Sequence, residues 1–350
     1  MRPQTGDYRP ALDGLRALCV AAVVAHHTPG RPAWVQGDFG VDIFFALSGW
    51  LITTLLLAAP DGTLKVAAFY VRRLFRIGPL YVVTLAAYAA LTAMLAARGD
   101  AGAWREYLST LPYLVSLNAE YRPETAEMVF GHAWTLGIEE KFYLLWPGLL
   151  ALAGRRPAMA AGAGAAALAL LFLLAGSPEW LARGYLGIGA GAGLALAARR
   201  WPKVTALLAR PATAGAAAAA MAATYLAIAA APEAWGWNVA MAAGGAVLSG
   251  ALWGQARSGA ARALAAGPLP WLGRLSYGIY LIHVLALFAV LEGLGWAGLA
   301  RPPAVVFVLT LAGAAAGAWI LHLTVERPLI GLGRRLAKGR RVETVPVLPT

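Results

Sequence analysis

Long apolar runs alternate with short clusters of charge from one end of the chain to the other. A helix that crosses a bilayer needs roughly 20 largely apolar residues. Runs of that kind centre near Val20, Leu51, Val83, Leu145, Ala167, Gly189, Ala220, Ala243, Val284 and Leu311, of which the fourth and sixth carry charges inside them. Between about Arg98 and Gly131 the pattern gives way to an acidic segment containing Asp100, Glu106, Glu120, Glu124 and Glu127. Within it Trp104, Tyr107, Leu108, Leu111, Tyr113 and Leu114 suit an amphipathic helix lying at a membrane interface. The predicted fold class is all-α, a polytopic transmembrane helical bundle of about ten spans.

Loop charge supplies the orientation. With the N-terminus in the cytoplasm, the inside loops collect 21 of the 29 basic residues, in clusters around Arg2, Arg72, Arg155, Arg199, Arg262 and Arg334. The outside loops receive only Arg31, Arg98, Arg105, Arg122 and Arg301. Excess Lys and Arg mark cytoplasmic loops, so an even number of spans with both termini cytoplasmic is predicted. The same alternation accounts for the net charge of +12 without a nucleic-acid partner, because no single face gathers it.

Composition agrees: the chain is 60% hydrophobic and 13% charged, against about a quarter charged in soluble domains. Its 40 glycines, with abundant alanine, suit closely packed membrane helices. The one cysteine, Cys19, rules out an intramolecular disulfide and any cysteine-based metal site, and no metal is expected. Arg2 and Arg9 precede the first apolar run as in a signal peptide. That run contains Asp13 and Arg16 and lacks a small-residue cleavage site, so it reads as a retained span. Residues 1–330 form one integral-membrane domain, and 331–350 a basic cytoplasmic tail without fixed structure, held near anionic headgroups.

Ionisable groups inside a span are costly and point to function. Arg16 and His27 are eleven residues apart, three helical turns plus roughly 20°, and so share a face. Asp13 lies three residues before Arg16, close enough to pair with it, while His26 points about 80° away from Arg16. Asp42 enters the second span from the outer side, where a carboxylate could orient the His27 imidazole. Arg73 and Arg76 share a face at the cytoplasmic boundary beside Arg72, and arginine suits phosphate. The fourth span brings Trp134, Thr135, Glu139, Glu140, Lys141 and Tyr143, with Glu139 one turn from Tyr143. Late in the chain come Tyr277 and His283, then Glu326-Arg327-Pro328, and His322 reads as a lone structural histidine.

Taken in order, these segments resemble the membrane-bound acyltransferase-3 family of O-acyltransferases. The matching residues are Leu12 to Arg16 with His27, Gly40-Val41-Asp42 through Ser48-Gly49, Arg73-x-x-Arg76, Trp134 to Tyr143, Tyr277 to His283, and Glu326-Arg327-Pro328. Thr135 and Lys141 stand where serine and glutamine are common, and no fused esterase-like domain is seen. The resemblance implies transfer of a short acyl group, often acetyl, from acyl-CoA as co-substrate to a hydroxyl. The acceptor would be a polysaccharide, lipid-linked glycan, peptidoglycan or secreted small molecule. It implies catalysis by His27, with Asp42, Glu139 and Arg16 assisting, and Arg73, Arg76 and Arg72 facing the CoA phosphates. Asp13, Trp134, Glu140, Tyr143, Tyr277 and His283 are further candidates. The cell inner membrane is the implied location. A proton-coupled transporter or flippase would use the same ionisable residues, but the polar motifs crowd into the first 145 residues without the second copy that transporters often carry.

Overall fold

The computed structural model describes residues 8–58, 63–64, 66–122, 130–153, 156, 159, 162, 164, 179–230, 236–255, 258–339 and 345–346. The first half holds α1 (Pro10–His26), α2 (Phe39–Leu57), α3 (Val66–Ala97), α4 (Ala101–Val115) and α5 (Trp134–Ala153). The second half holds α6 (Glu179–Arg200), α7 (Pro202–Leu208), α8 (Pro211–Ala230), α9 (Gly236–Gly254), α10 (Gly259–Leu264) and α11 (Leu269–Arg274). It closes with α12 (Ser276–Trp296), α13 (Pro303–Leu321), a π-helical turn (His322–Glu326) and α14 (Arg327–Gly339). Among the described residues the regular structure is helical apart from a two-residue antiparallel pairing of Thr63–Leu64 with Val345–Pro346.

Nine of the ten predicted span centres fall inside these helices, and Ala167 lies outside the described residues. Six of the described helices are long and apolar enough to cross a bilayer. The 17-residue α1 is not among them, nor is α5 with Glu139, Glu140 and Lys141 in adjacent positions. Both pack against other helices, where Asp13 pairs with Arg16, Glu139 with Ser48 and Lys141 with Glu120.

Backbones pack closely where the sequence places glycine. A Cβ on Gly49 of α2 would strike the Ile188 carbonyl of α6, and one on Gly191 of α6 would strike the Ala46 carbonyl of α2. The two helices therefore touch backbone to backbone through reciprocal glycines, a contact any larger residue would push apart. The predicted interfacial helix is α4. Tyr107, Thr110 and Leu114 are its buried side, while Leu108 and Val115 stay exposed. The Tyr107 hydroxyl donates to the Leu85 carbonyl and Tyr81 of α3 donates to that of Leu114, each at 2.8 Å, which ties α4 along α3.

The tail departs from expectation. The boundary placed at residue 330 falls within α14, which is helical through Gly339. The cause is a small-residue stripe at helical spacing: Gly333 and Ala337 are buried, and Gly333 sits against Phe75 of α3. Just before it, Pro328 lacks an N–H and its ring crowds the carbonyl four residues back. The turn over His322–Glu326 widens to a π-helix at that point, a common way for a helix to absorb such a misfit.

Candidate active site

The polar residues gather in three places. The first is a cavity walled by α1, α2, α3, α5, α12 and the π-turn, and lined by Arg16, Arg73, Arg76, Glu139, Glu140, Tyr143, Tyr277 and Glu326 among others. Arg16 bridges to Asp13 at 3.9 Å, as their three-residue spacing predicts. Ser48 of α2 donates to Glu139 at 2.6 Å and accepts from the Tyr143 hydroxyl at 3.1 Å. The Arg73 guanidinium lies over the Tyr143 ring, 3.9 Å from its centroid, a cation–π contact that holds the charge against the wall. Its Nε is buried without a hydrogen-bond partner among the described residues. Tyr277 donates to the Ile77 carbonyl at 3.1 Å, tying α12 to α3.

One side chain reaches this cavity unforeseen, and a second supports its wall from behind. Arg274, counted in the sequence as loop charge, is a fourth arginine on the wall, and its NH1 donates to Tyr8 at 3.0 Å. His322, read as a lone structural histidine, lies with its Nδ1 2.8 Å from Glu326 Oε2 and so steers that carboxylate into the cavity. Arginines thus outnumber carboxylates there by four to three, which suits an anionic ligand.

The second place is a cluster of imidazoles. His27 caps the end of α1, and its Nδ1 lies 2.9 Å from the Val23 carbonyl. A carbonyl can only accept, so Nδ1 carries the proton and Nε2 keeps its lone pair. The neighbouring His26 turns away to Arg31, 3.5 Å from its Nδ1. The His27 ring instead meets His283 of α12 at 4.8 Å between centroids and His132 at 6.2 Å. His132 comes from the 3₁₀ turn Gly131–Ala133, packs 4.6 Å from His283, and directs its Nε2 at the Leu281 carbonyl, 3.3 Å away. Among the described residues no group of three or more His, Cys, Asp and Glu is placed to hold a metal ion.

Cavity and cluster are adjacent but separate. His27 and His283 do not line the cavity. Between them stand Thr135 and Tyr280, which line the cavity, lie 2.8 Å apart at their hydroxyls, and both donate to the His132 carbonyl, at 3.2 and 2.9 Å. The Tyr280 ring also touches the His132 and His283 rings, at 5.3 and 5.8 Å. One layer of side chains therefore divides the arginines from the imidazoles.

The third place holds Asp42. Its carboxylate is fully buried, and its hydrogen bonds go to the Arg183 guanidinium of α6 and, at 2.9 Å, to Asn238 of α9. Arg183 also grips Asp38, at 3.0 Å to Oδ2. Asp42 lies in the first turn of α2, and its partner is a guanidinium from α6 rather than the His27 imidazole. Elsewhere, Arg72 is exposed and faces away from the cavity, and Trp134 packs on Phe45 at 5.8 Å. Lys141 donates to the Leu117 carbonyl at 2.7 Å and to Glu120 at 2.5 Å, pinning the segment after α4 onto α5. Outside the spans, burial raises the Glu120 carboxyl above its usual range while the Lys141 ammonium opposes that rise.

Ser48, His132, Arg183 and Arg274 are the residues that the candidate set lacks. Arg183 had a signal, a charge inside the sixth apolar run. Ser48 sits within a matching motif and His132 stands two residues before another. Arg274 carried no mark to separate it from other loop arginines.

Comparison with known proteins adds a family and two relatives. Residues 9–323 match a family model described as an acyltransferase domain. The peptidoglycan O-acetyltransferase OatA of Listeria monocytogenes is 37% identical over 152 residues, which are 41% of this chain and 24% of that protein. The O-acetyltransferase OatA of Staphylococcus aureus is 37% identical over 149 residues, 40% of this chain and 24% of its own. The chain thus spans about a quarter of the length of the curated relatives it matches. No solved structure matches it.

Proposed function

Because the chain belongs to the acyltransferase-3 family, whose domain covers residues 9–323, we propose that it is a multi-pass membrane O-acyltransferase. In this reading it moves a short acyl group, acetyl first among them, from acyl-CoA to a hydroxyl of a carbohydrate or other acceptor. The relatives named for O-acetylation of peptidoglycan make a muramyl glycan the first acceptor to test. The inner membrane is the location this implies, with about ten spans and both termini in the cytoplasm.

One observation carries the reading. An arginine-rich cavity ends one side-chain layer short of an imidazole whose Nε2 has no hydrogen-bond partner among the described residues, and Arg16 in α1 and His27 at its end mark the two ends. Eleven residues at about 1.5 Å put roughly 16 Å between them along α1, a gap that a long, flexible thiol arm is built to cross. Arg73 and Arg76, with Arg16 and Arg274 on the same wall, meet the phosphates at the cytoplasmic mouth. Arg72 is left to the loop. The thioester carbonyl comes to His27, whose Nε2 takes either the acceptor's proton or the acyl group itself. Glu139, locked by Ser48, and Tyr143 hold the cavity's shape and balance its charge. Asp42 serves by fixing α2 against α6 and α9 through Arg183 and Asn238.

His27→Ala is the direct test. The half-buried imidazole makes one hydrogen bond, to its own helix, so the purified variant keeps its thermal unfolding temperature. Transfer of acetyl from acetyl-CoA falls by at least ~100-fold. Full activity in that variant would remove the assignment.

A further inference from the structure

His283 is the most deeply enclosed member of the imidazole cluster, with no solvent exposure. Its Nδ1 lies 2.6 Å from the Tyr280 carbonyl, so that nitrogen bears the proton and Nε2 bears the lone pair. The lone-pair nitrogen is buried and has no hydrogen-bond partner among the described residues. A buried acceptor left without a partner is costly and calls for an explanation. His27 is arranged the same way, with Nδ1–H spent on a backbone carbonyl and Nε2 left open. The two rings meet 4.8 Å apart at an interplanar angle of 71°. Two imidazoles in ring contact, each with its Nδ1–H tied to a backbone carbonyl, therefore each keep an Nε2 lone pair. A reaction in two stages can give each of them its own task.

We propose that His27 carries the acyl group and that His283 is the base for the acceptor hydroxyl. This rests on the acyltransferase reading above and adds a division of labour between the two rings. In the first stage the His27 Nε2 lone pair attacks the thioester carbonyl. The carbon–sulfur bond breaks, CoA leaves as the thiolate, and the acyl group sits on Nε2 while Nδ1–H keeps its bond to Val23. In the second stage the acceptor oxygen attacks that carbonyl and its proton passes to His283 Nε2. The carbon–nitrogen bond breaks, its electron pair returns to His27, and the ester departs. His283 then releases its proton, which balances the thiolate formed earlier. Nothing is oxidised or reduced. His132, 4.6 Å from His283 and anchored to Leu281, backs the base and keeps its ring in place.

The experiment separates the stages. Purified full-length protein in nanodiscs is mixed with labelled acetyl-CoA, and CoA thiol release is followed through the first turnover. Acetyl transfer is followed with a muramyl disaccharide and, separately, with hydroxylamine, a nucleophile that needs no base. In His283→Ala the first-turnover burst of thiol survives, and so does acetyl transfer to hydroxylamine. Transfer to the sugar hydroxyl falls by at least ~100-fold. His283→Gln, which keeps much of the volume but takes up no proton, behaves the same and covers the case in which the alanine variant unfolds. In His27→Ala burst and transfer vanish together. Sugar transfer at the wild-type rate in both His283 variants overturns the proposal. So does loss of the burst along with transfer in a variant whose unfolding temperature is unchanged. If His27→Ala keeps both activities, the acyltransferase reading of the site fails first.

Discussion

An aspartate and an arginine buried together inside a membrane bundle are costly unless each finds its full set of partners. Asp42 and Arg183 find them: the guanidinium holds both Asp42 oxygens and Asp38, and Asn238 completes the set. Removing one partner strands the other's charge. Asp42→Asn should therefore destabilise the protein by about 3–5 kcal/mol, read as a lower unfolding temperature in detergent. Asp42→Asn with Arg183→Met should recover part of that loss, because neighbours in one network are not additive. At the cavity mouth the test is binding. Arg73→Lys with Arg76→Lys keeps the charge but loses the planar fork, so the KM for acetyl-CoA should rise several-fold while kcat changes less. At this scale the sequence was informative along a helix and weak between helices. The 100° step separates His26 from His27, and in the fold His26 meets Arg31 while His27 meets His283. Nothing in that periodicity pairs His27 with His283, 256 positions on, or takes Asp42 to Arg183.

Among the elements, the π-turn before Pro328 has the clearest consequence. An extra residue in one turn shifts the phase of every later position by roughly 100°, and here it leaves Glu326 in the cavity with His322 behind it. Pro328→Ala restores the missing N–H and lets the regular ladder close. The unfolding temperature should hold or rise, while the acetyl-CoA KM shifts in the same direction as in Glu326→Gln. A regular unfolding temperature with an unchanged KM would show that the turn does not set the carboxylate. The helix α14 makes a related point. Its basic composition read as tail, but Gly333 and Ala337 form a small-residue stripe that docks on α3, and composition hides a stripe that periodicity would have revealed. By contrast α4 was legible in advance, since its aromatic side alternates at 3.6 residues against an acidic background.

For the molecule as a whole, hydropathy centred nine of its ten predicted spans on described helices, six of which are long and apolar enough to cross a bilayer. Hydropathy was least sure of α5 and α6, the two that donate Glu139 and Arg183 to the interior. Function is what dilutes the apolar signal there. Orientation can be checked directly, since Cys19 is buried and unique. In a Cys19→Ser background, a cysteine at Arg31 should react with an impermeant maleimide from outside intact cells, and one at Lys203 only after lysis. Labelling of both from the same side would invert the assignment. The Thr135–Tyr280 layer matters at this scale as well. Polar groups run from the arginines on one side to the imidazoles on the other, and without a break they would be a wire along which protons could discharge the membrane potential. The two hydroxyls are held by one carbonyl, and the phenol ring packs on the His132 and His283 rings. In the proposed orientation this layer would insulate an idle enzyme, so that the cell would lose no energy across it between turnovers.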